Sequence, residues 1–317
     1  MTTSGTTAFN LDLNDLIEEA FERCGLELRS GYDFKTARRS LNLLTVEWAN
    51  RGINLWTVEQ GQITMNTGQA MYALPNNTID LLDQVIRQNN GSSSNQIDIN
   101  ISRISESTYS TIPNKLTQGR PIQVWINRQS GQSSISGAAT LSATTPTSDQ
   151  IVLDNVTTLP AAGFIKLGDE IISYNTIIPV TDIPNFPNAG VLINLGRGQQ
   201  GTTPASYGVG RGVLTANPPS INVWPTPNAG GYYTFVYWRL RRVQDAGTGV
   251  TDQDIPFRFI PCMVAGLAYY IAMKKPEVAP DRIAMLKADY EQQFQLASEE
   301  DREKAPIRFV PRTTFYA

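Results

Sequence analysis

Histidine is absent from the 317 residues, and cysteine occurs only twice. The first absence removes the side chain that most often moves protons near neutral pH and the commonest metal ligand. Neither a Ser-His-Asp set, a Cys-His set nor a His-zinc site can be built. The two cysteines, Cys24 and Cys262, lie far apart within apolar helical pattern and read as small buried hydrophobes in a reducing compartment. A disulfide between them is the alternative. No run reaches the ~18 consecutive apolar residues needed to cross a bilayer. The opening MTTSGTTAFN lacks the charged and apolar regions of a secretory signal. Folding in the cytoplasm, with no membrane partner, is the expectation. Charge is also sparse: 17% of residues are charged and the net charge is -3. No positive excess exists to grip a phosphate backbone through counterion release. At 41% hydrophobic, the chain is long enough to bury the core of one large or two ordinary domains.

What is present begins with helical spacing. Leu13, Ile17, Ala20, Phe21 and Cys24 follow a candidate cap at Asp12 and stop at Gly25. Phe34, Ala37, Leu41, Leu44 and Trp48 follow a cap near Asp33 and stop at Gly52, which predicts an antiparallel pair of helices over residues 1–53. The polar face of the second carries Lys35, Arg38 and Arg39, read as a solvated face or as partners for a neighbour's carboxylates. From residue 54 the period changes to two, and a β-domain is expected over 54–132, with a mobile polar loop at 87–96. Its strand around Ile122, Val124 and Ile126 is expected to pair with the runs at 221–223 and 232–240, so that 217–253 completes the domain.

Residues 133–216 have their own grammar. Short β-branched runs at 151–153, 164–167, 170–174 and 191–195 alternate with Pro, Gly and Asn turns. A small inserted β-barrel or sandwich is the expectation. Helical pattern returns over 254–304. Ala265, Gly266, Ala268 and Ala272 thin one helix so that another backbone can approach. A second helix carries the stripe Ile283, Leu286, Tyr290, Phe294 and Ala297, with Glu300 and Lys304 as an i,i+4 pair. Tyr290 and Phe294 are taken as subunit-contact candidates. The fold class is therefore α+β: a helical bundle built from both chain ends, plus an antiparallel β-domain that carries the inserted module.

Several motifs carry candidate chemistry. Gly196-Arg197-Gly198-Gln199-Gln200-Gly201 matches the dinucleotide-binding fingerprint letter for letter, but Thr202-Thr203-Pro204 follows where that site needs a helix N-terminus. The glycines are expected to serve tight turns. Asp169 with Glu170, and Glu18 with Glu19, are sequence neighbours and give no acid/base pair. Arg239, Arg241 and Arg242 beside Tyr237 and Trp238 are read as interface or surface residues. Neither a catalytic group, a metal nor a cofactor is expected. Residues 305–317 cannot be helical across Pro306 and Pro311, yet they hold Phe309, Val310, Phe315 and Tyr316 beside Arg308 and Arg312. Such an arm inserts into a partner's groove; the alternative is that it packs back on its own subunit.

The stretches LNDLIEEAFERCG, YDFKTARRSLNLLTVEWANRGINLWTVEQ and IPFRFIPCMVAGLAYYIAMKKPE resemble the head-to-tail adaptor (tail tubular protein A-like) proteins of podoviruses, over residues 11–74 and 221–302. GFIKLGDEIISYNTI and NLGRGQQGTTPASYGVGRG are similar to a small β-module inserted into phage tail and virion proteins, although adaptors often lack it. The resemblance implies a bacteriophage structural protein of the virion neck. Identical subunits, typically twelve, form a ring under the portal protein and receive the tail nozzle protein. The implied roles place C-terminal arms in the portal's clip, double-stranded DNA in the lumen without specific contact, and the module outside, holding tail fibres. Two other readings stand beside it: a carbohydrate- or receptor-binding tail protein acting through the module, and a hydrolase using two carboxylates.

Overall fold

The computed structural model describes residues 5, 9–53, 55–128, 133–134, 150–157, 159–180 and 186–301. Lys304 and the expected arm residues Arg308, Phe309, Val310, Arg312, Phe315 and Tyr316 lie outside them. The chain is mixed α and β, with five α-helices among the described residues. It divides into two compact units, Met1–Val58 with Arg242–Ala317, and Glu59–Arg241. The boundaries differ from those read in the sequence because the residues on either side of the crossing points serve the helices. The Trp56 indole donates to Asp254 O at 2.9 Å, its ring lies 5.0 Å from that of Phe259, and Ala246 N donates to Asn42 Oδ1 at 2.8 Å.

In the helical unit, α1 (Leu13–Cys24) starts where Asp12 accepts a hydrogen bond from Asp15 N and ends at Gly25 with φ of 74°. Helix α2 (Gly31–Arg51) starts at Ser30, not Asp33. Asp33 is the reciprocal half of the cap: its N–H donates to Ser30 Oγ at 3.2 Å, and Ser30 Oγ donates to its carboxylate at 2.9 Å. Lys275 Nζ, 2.6 Å from that carboxylate, and the Ser30 hydroxyl hold Asp33 below the usual carboxylate range. In the β unit α3 (Glu106–Ser110) is a single short turn. Helix α4 (Ile260–Ala272) is the centre of the helical unit, with ten of its thirteen residues buried. Helices α1, α2 and α5 (Pro280–Glu300) all pack on it, and α1 and α2 meet each other only slightly, so the expected hairpin is a looser, shared arrangement. The thin part of α4 admits side chains in place of a backbone: a Cβ on Gly266 would lie 2.8 Å from Tyr290 Cε2 and 2.9 Å from Leu44 Cδ1.

In the second unit, one sheet has the order β1 (Val58–Thr64), β18 (Tyr233–Arg241), β3 (Thr78–Gln88), β4 (Ile97–Asn100). Another has the order β2 (Met71–Ala73), β16 (Ser220–Trp224), β7 (Gln123–Asn127), β5 (Ser102–Arg103), and β6 (Gln118–Gly119) makes a short parallel pair with β17 (Thr226–Pro227). Both larger sheets supply one core, including Tyr72, Leu81, Ile86, Val124, Ile221 and Phe235. Strand β16 pairs with β7 in the expected register, Ile221 opposite Ile126 and Val223 opposite Val124. The aromatic run does not join them. Strand β18 pairs with β3, with Phe235 opposite Ile86 and Val236 opposite Val85, because β3 offers a longer apolar ladder than β7. The polar stretch expected as a mobile loop at 87–96 is partly strand. Arg87, one residue before the end of β3, lies opposite Asp98 of β4 in an ion pair of 2.7 Å.

The inserted residues form two open sheets, with no closed barrel among the described residues. One has the order β14 (Gly196–Gln199), β11 (Glu170–Tyr174), β10 (Gly163–Leu167), β15 (Val213–Ala216), β8 (Ser133–Ser134). The other has β12 (Thr176–Pro179), β13 (Gly190–Ile193), β9 (Gln150–Leu153). They share a core of Ile151, Leu153, Ile165, Leu167, Ile172 and Leu192. Strand β10 places buried residues on both faces, with half-buried Lys166 as its one charged position. Ile165 and Leu167 face the module's core, while Phe164 packs with Ala216 on Ala73 of the parent sheet.

Candidate functional site

Cys24 and Cys262 are buried and unpaired with each other. Burial pushes their thiols up to about 11 and about 12, and Cys24 Sγ donates to Ala268 O at 3.1 Å. Among the described residues, no group of three or more Cys, Asp and Glu is placed to hold a metal ion. Arg242 is exposed, whereas Arg239 and Arg241 are half-buried. They converge on Glu59 at 2.7 and 2.5 Å, with Arg239 also donating to Asn77 and Thr78.

The fingerprint-like hexapeptide is structural, and only part of it is a turn. Gly198 and Gly201 have φ of 64° and 75°. Gly196 serves a different need, because a Cβ there would collide with the side chains of Gln69 and Ser173. Arg197 makes two bonds to Glu170, Nε to Oε1 at 2.7 Å and Nη2 to Oε2 at 2.8 Å. The Glu170 carboxylate also accepts from Gly198 N and Ala205 N, each at 3.1 Å. Burial alone would raise its pKa, but the guanidinium and these N–H groups hold it below the usual range. The two glutamines clasp the parent domain. Strand β2 is an edge strand whose free groups need partners. Ala73 N donates to Gln199 Oε1 at 2.9 Å, and Gln200 Nε2 donates to Leu74 O at 2.5 Å and Asn76 Oδ1 at 2.8 Å. Gln69 Nε2 to Ser173 Oγ at 3.1 Å and Asn175 Nδ2 to Gly68 O at 3.0 Å complete the junction. The sequence holds no local signal for these bonds, since the partners are over a hundred residues apart.

The chain matches no protein-family model and no curated protein.

Two outward helix faces stand out. On α2, Tyr32, Leu43 and Val46 are exposed large apolar groups on a helix whose Lys35, Arg38 and Arg39 are exposed as well. Arg38 donates to Gly247 O at 3.4 Å; neither Lys35 nor Arg39 has a carboxylate partner among the described residues. On α5, Met285 and Leu296 are exposed, alongside Asp281 and Glu299. Of the contact candidates expected on α5, Tyr290 faces the other way. It is 2% exposed and accepts a hydrogen bond from Trp48 Nε1 at 3.1 Å, because the glycine of α4 leaves room for its ring. Phe294 is half-buried beneath the Arg51 guanidinium, 4.4 Å from its ring centre, and Arg51 is itself held by Glu291 at 3.0 and 3.1 Å. The apolar stripe of α5 was legible; which flank of it remains open was not.

Proposed function

We propose that this chain is a structural connector subunit, the head-to-tail adaptor of a short-tailed bacteriophage, and that its work is done through protein interfaces. The observation that carries the reading is the pair of unlike faces within the helical unit, α2 basic and apolar, α5 acidic and apolar. A face that complements a different face on an identical subunit makes a heterologous contact, and such contacts close into rings when the rotation permits. Lys35 and Arg39 would meet Glu299 of the neighbour, with Leu43 and Val46 packing toward Leu296.

In this reading the β unit meets the tail nozzle protein, residues 305–317 reach the portal protein, and DNA passes a lumen that does not grip it. The inserted module keeps its own core and is fixed to the parent sheet by side-chain bonds, which suits a rigid outward projection that holds fibres. Mass photometry and negative-stain microscopy of the full-length protein, alone and with portal, test the proposal. Rings of about twelve subunits are expected with portal. Lys35→Glu with Arg39→Glu should disperse them, and adding Glu299→Lys should restore them in part. Absence of association with any portal, or rings indifferent to these changes, overturns it.

A further inference from the structure

The helical unit has a second surface that the ring reading does not use. Between α1 and the first turn of α4 runs a groove of about 510 Å³. Leu11, Ile260, Pro261 and Val264 line its floor, and Phe9 stands at its side 76% exposed. Asp15, Glu18, Glu19 and Glu22 form the rim, on one face of α1 at i, i+3, i+4 and i+7, with Arg23 the one cation of the lining, held by Glu19 and by Asp289 at 3.6 Å. Only Glu19 is paired, with Arg23 at 3.0 Å; the other three carboxylates have no ion pair among the described residues. An apolar floor under an acidic rim fits an extended segment that alternates large apolar groups with cations.

The chain contains such a segment. Residues 302–316 carry Arg302, Lys304, Arg308 and Arg312 against a single acid, Glu303, and supply Ile307, Phe309, Val310, Phe315 and Tyr316. Its starting point is close to the groove. Glu300, at the end of α5, accepts from Arg258 Nη1 at 2.9 Å, and the Asp301 carboxylate accepts from Leu55 N at 3.2 Å. Arg258 lies two residues before Ile260 of the groove floor. Seven extended residues span up to about 24 Å, and crossing the end of one helix takes about 10–12 Å. Phe257, 71% exposed, stands beside the crossing.

We infer that residues 302–316 dock in the α1–α4 groove of their own subunit, with Arg308 and Arg312 on the acidic rim and the adjoining aromatic groups on the apolar floor. The short tether gives the arm an effective concentration near the millimolar range, so individually weak contacts hold it in place. This latch stands apart from the ring reading: it belongs to one subunit. Where the ring reading also holds, a portal must displace the arm from the groove before receiving it.

The test uses full-length protein carrying Thr313→Cys and a nitroxide at that position. Cys24 and Cys262 are buried with raised thiols and should stay unlabelled. The expected spectrum is immobilised, and its shape is independent of protein concentration. Glu18→Lys with Glu22→Lys should free the label without shifting the thermal unfolding midpoint, and adding Arg308→Glu with Arg312→Glu should immobilise it again. A label that is mobile in the unaltered chain overturns the inference, and so does one that ignores the rim reversal. Immobilisation that grows with protein concentration assigns the groove to another copy's arm and overturns the own-subunit assignment. No portal is needed, so failure of the ring reading leaves this readout intact.

Discussion

Glu170 and Arg197 make a two-point ion pair at 2.7 and 2.8 Å in which the carboxylate side chain is wholly removed from solvent. Residues 27 positions apart in sequence are thereby fixed at the edge of the inserted module, and two backbone N–H groups complete the carboxylate's shell. Removing one partner strands the other. Arg197→Met is expected to cost about 3–5 kcal/mol, read as a lowered urea midpoint. A cost under about 1 kcal/mol would mean that water reaches the carboxylate and the pair is weak.

The same carboxylate predicts a pH dependence. Its folded pKa lies below the unfolded value of about 4.3, so the stabilisation is present above that value and is lost as pH falls through the folded value. The module should lose stability on acidification below about pH 5. Glu170→Gln should flatten that slope while lowering stability at neutral pH. Thermal melts at several pH values check both statements.

The module's attachment is testable separately from its core. Gln199 and Gln200 satisfy the exposed edge at Ala73 and Leu74. Alanine at both positions should cost about 1–3 kcal/mol. It should also open the junction to limited proteolysis near residues 128 and 217, while the released module stays folded. Unchanged cleavage would show that the apolar contact of Phe164 and Ala216 on Ala73 holds the junction alone.

Gly266 is expected to be intolerant of any side chain. An added methyl meets the Tyr290 ring at 2.8 Å and Leu44 at 2.9 Å, and that ring is tied to Trp48. Gly266→Ala should lower stability by about 1–3 kcal/mol from overpacking, against the roughly 1 kcal/mol gain in helix propensity it would bring on an exposed helix. Calorimetry decides the sign; a stabilised variant would mean that α5 can shift away.

Local signals carried the helices. Asp12, Gly25 and Gly52 mark ends that the structure keeps, since caps and left-handed stops act within one turn. Four of the module's strands, β9, β10, β11 and β13, were legible because Pro and Gly separate short β-branched runs, whereas β8, β12, β15 and the glycine-rich β14 were not. What the sequence does not carry is choice of partner. The run at 232–240 was expected beside Ile122, Val124 and Ile126, and β18 took β3; Tyr290 belonged to a readable stripe, but the glycine that receives it sits 24 positions away on another helix. The Glu170–Arg197 pair and the glutamine clasp were likewise invisible, since each joins residues through the fold and not through spacing.

Strands β7 and β16 are antiparallel neighbours, and Asn127 lies directly opposite Ser220. The chain departs for the module and returns from it across a single rung of one ladder, where two residues would suffice to turn a hairpin. The parent sheet's register is therefore settled below the junction, whatever is threaded through it. The site is a socket: cargo of any length can be exchanged there without rebuilding the scaffold, provided the new occupant brings its own means of covering the β2 edge.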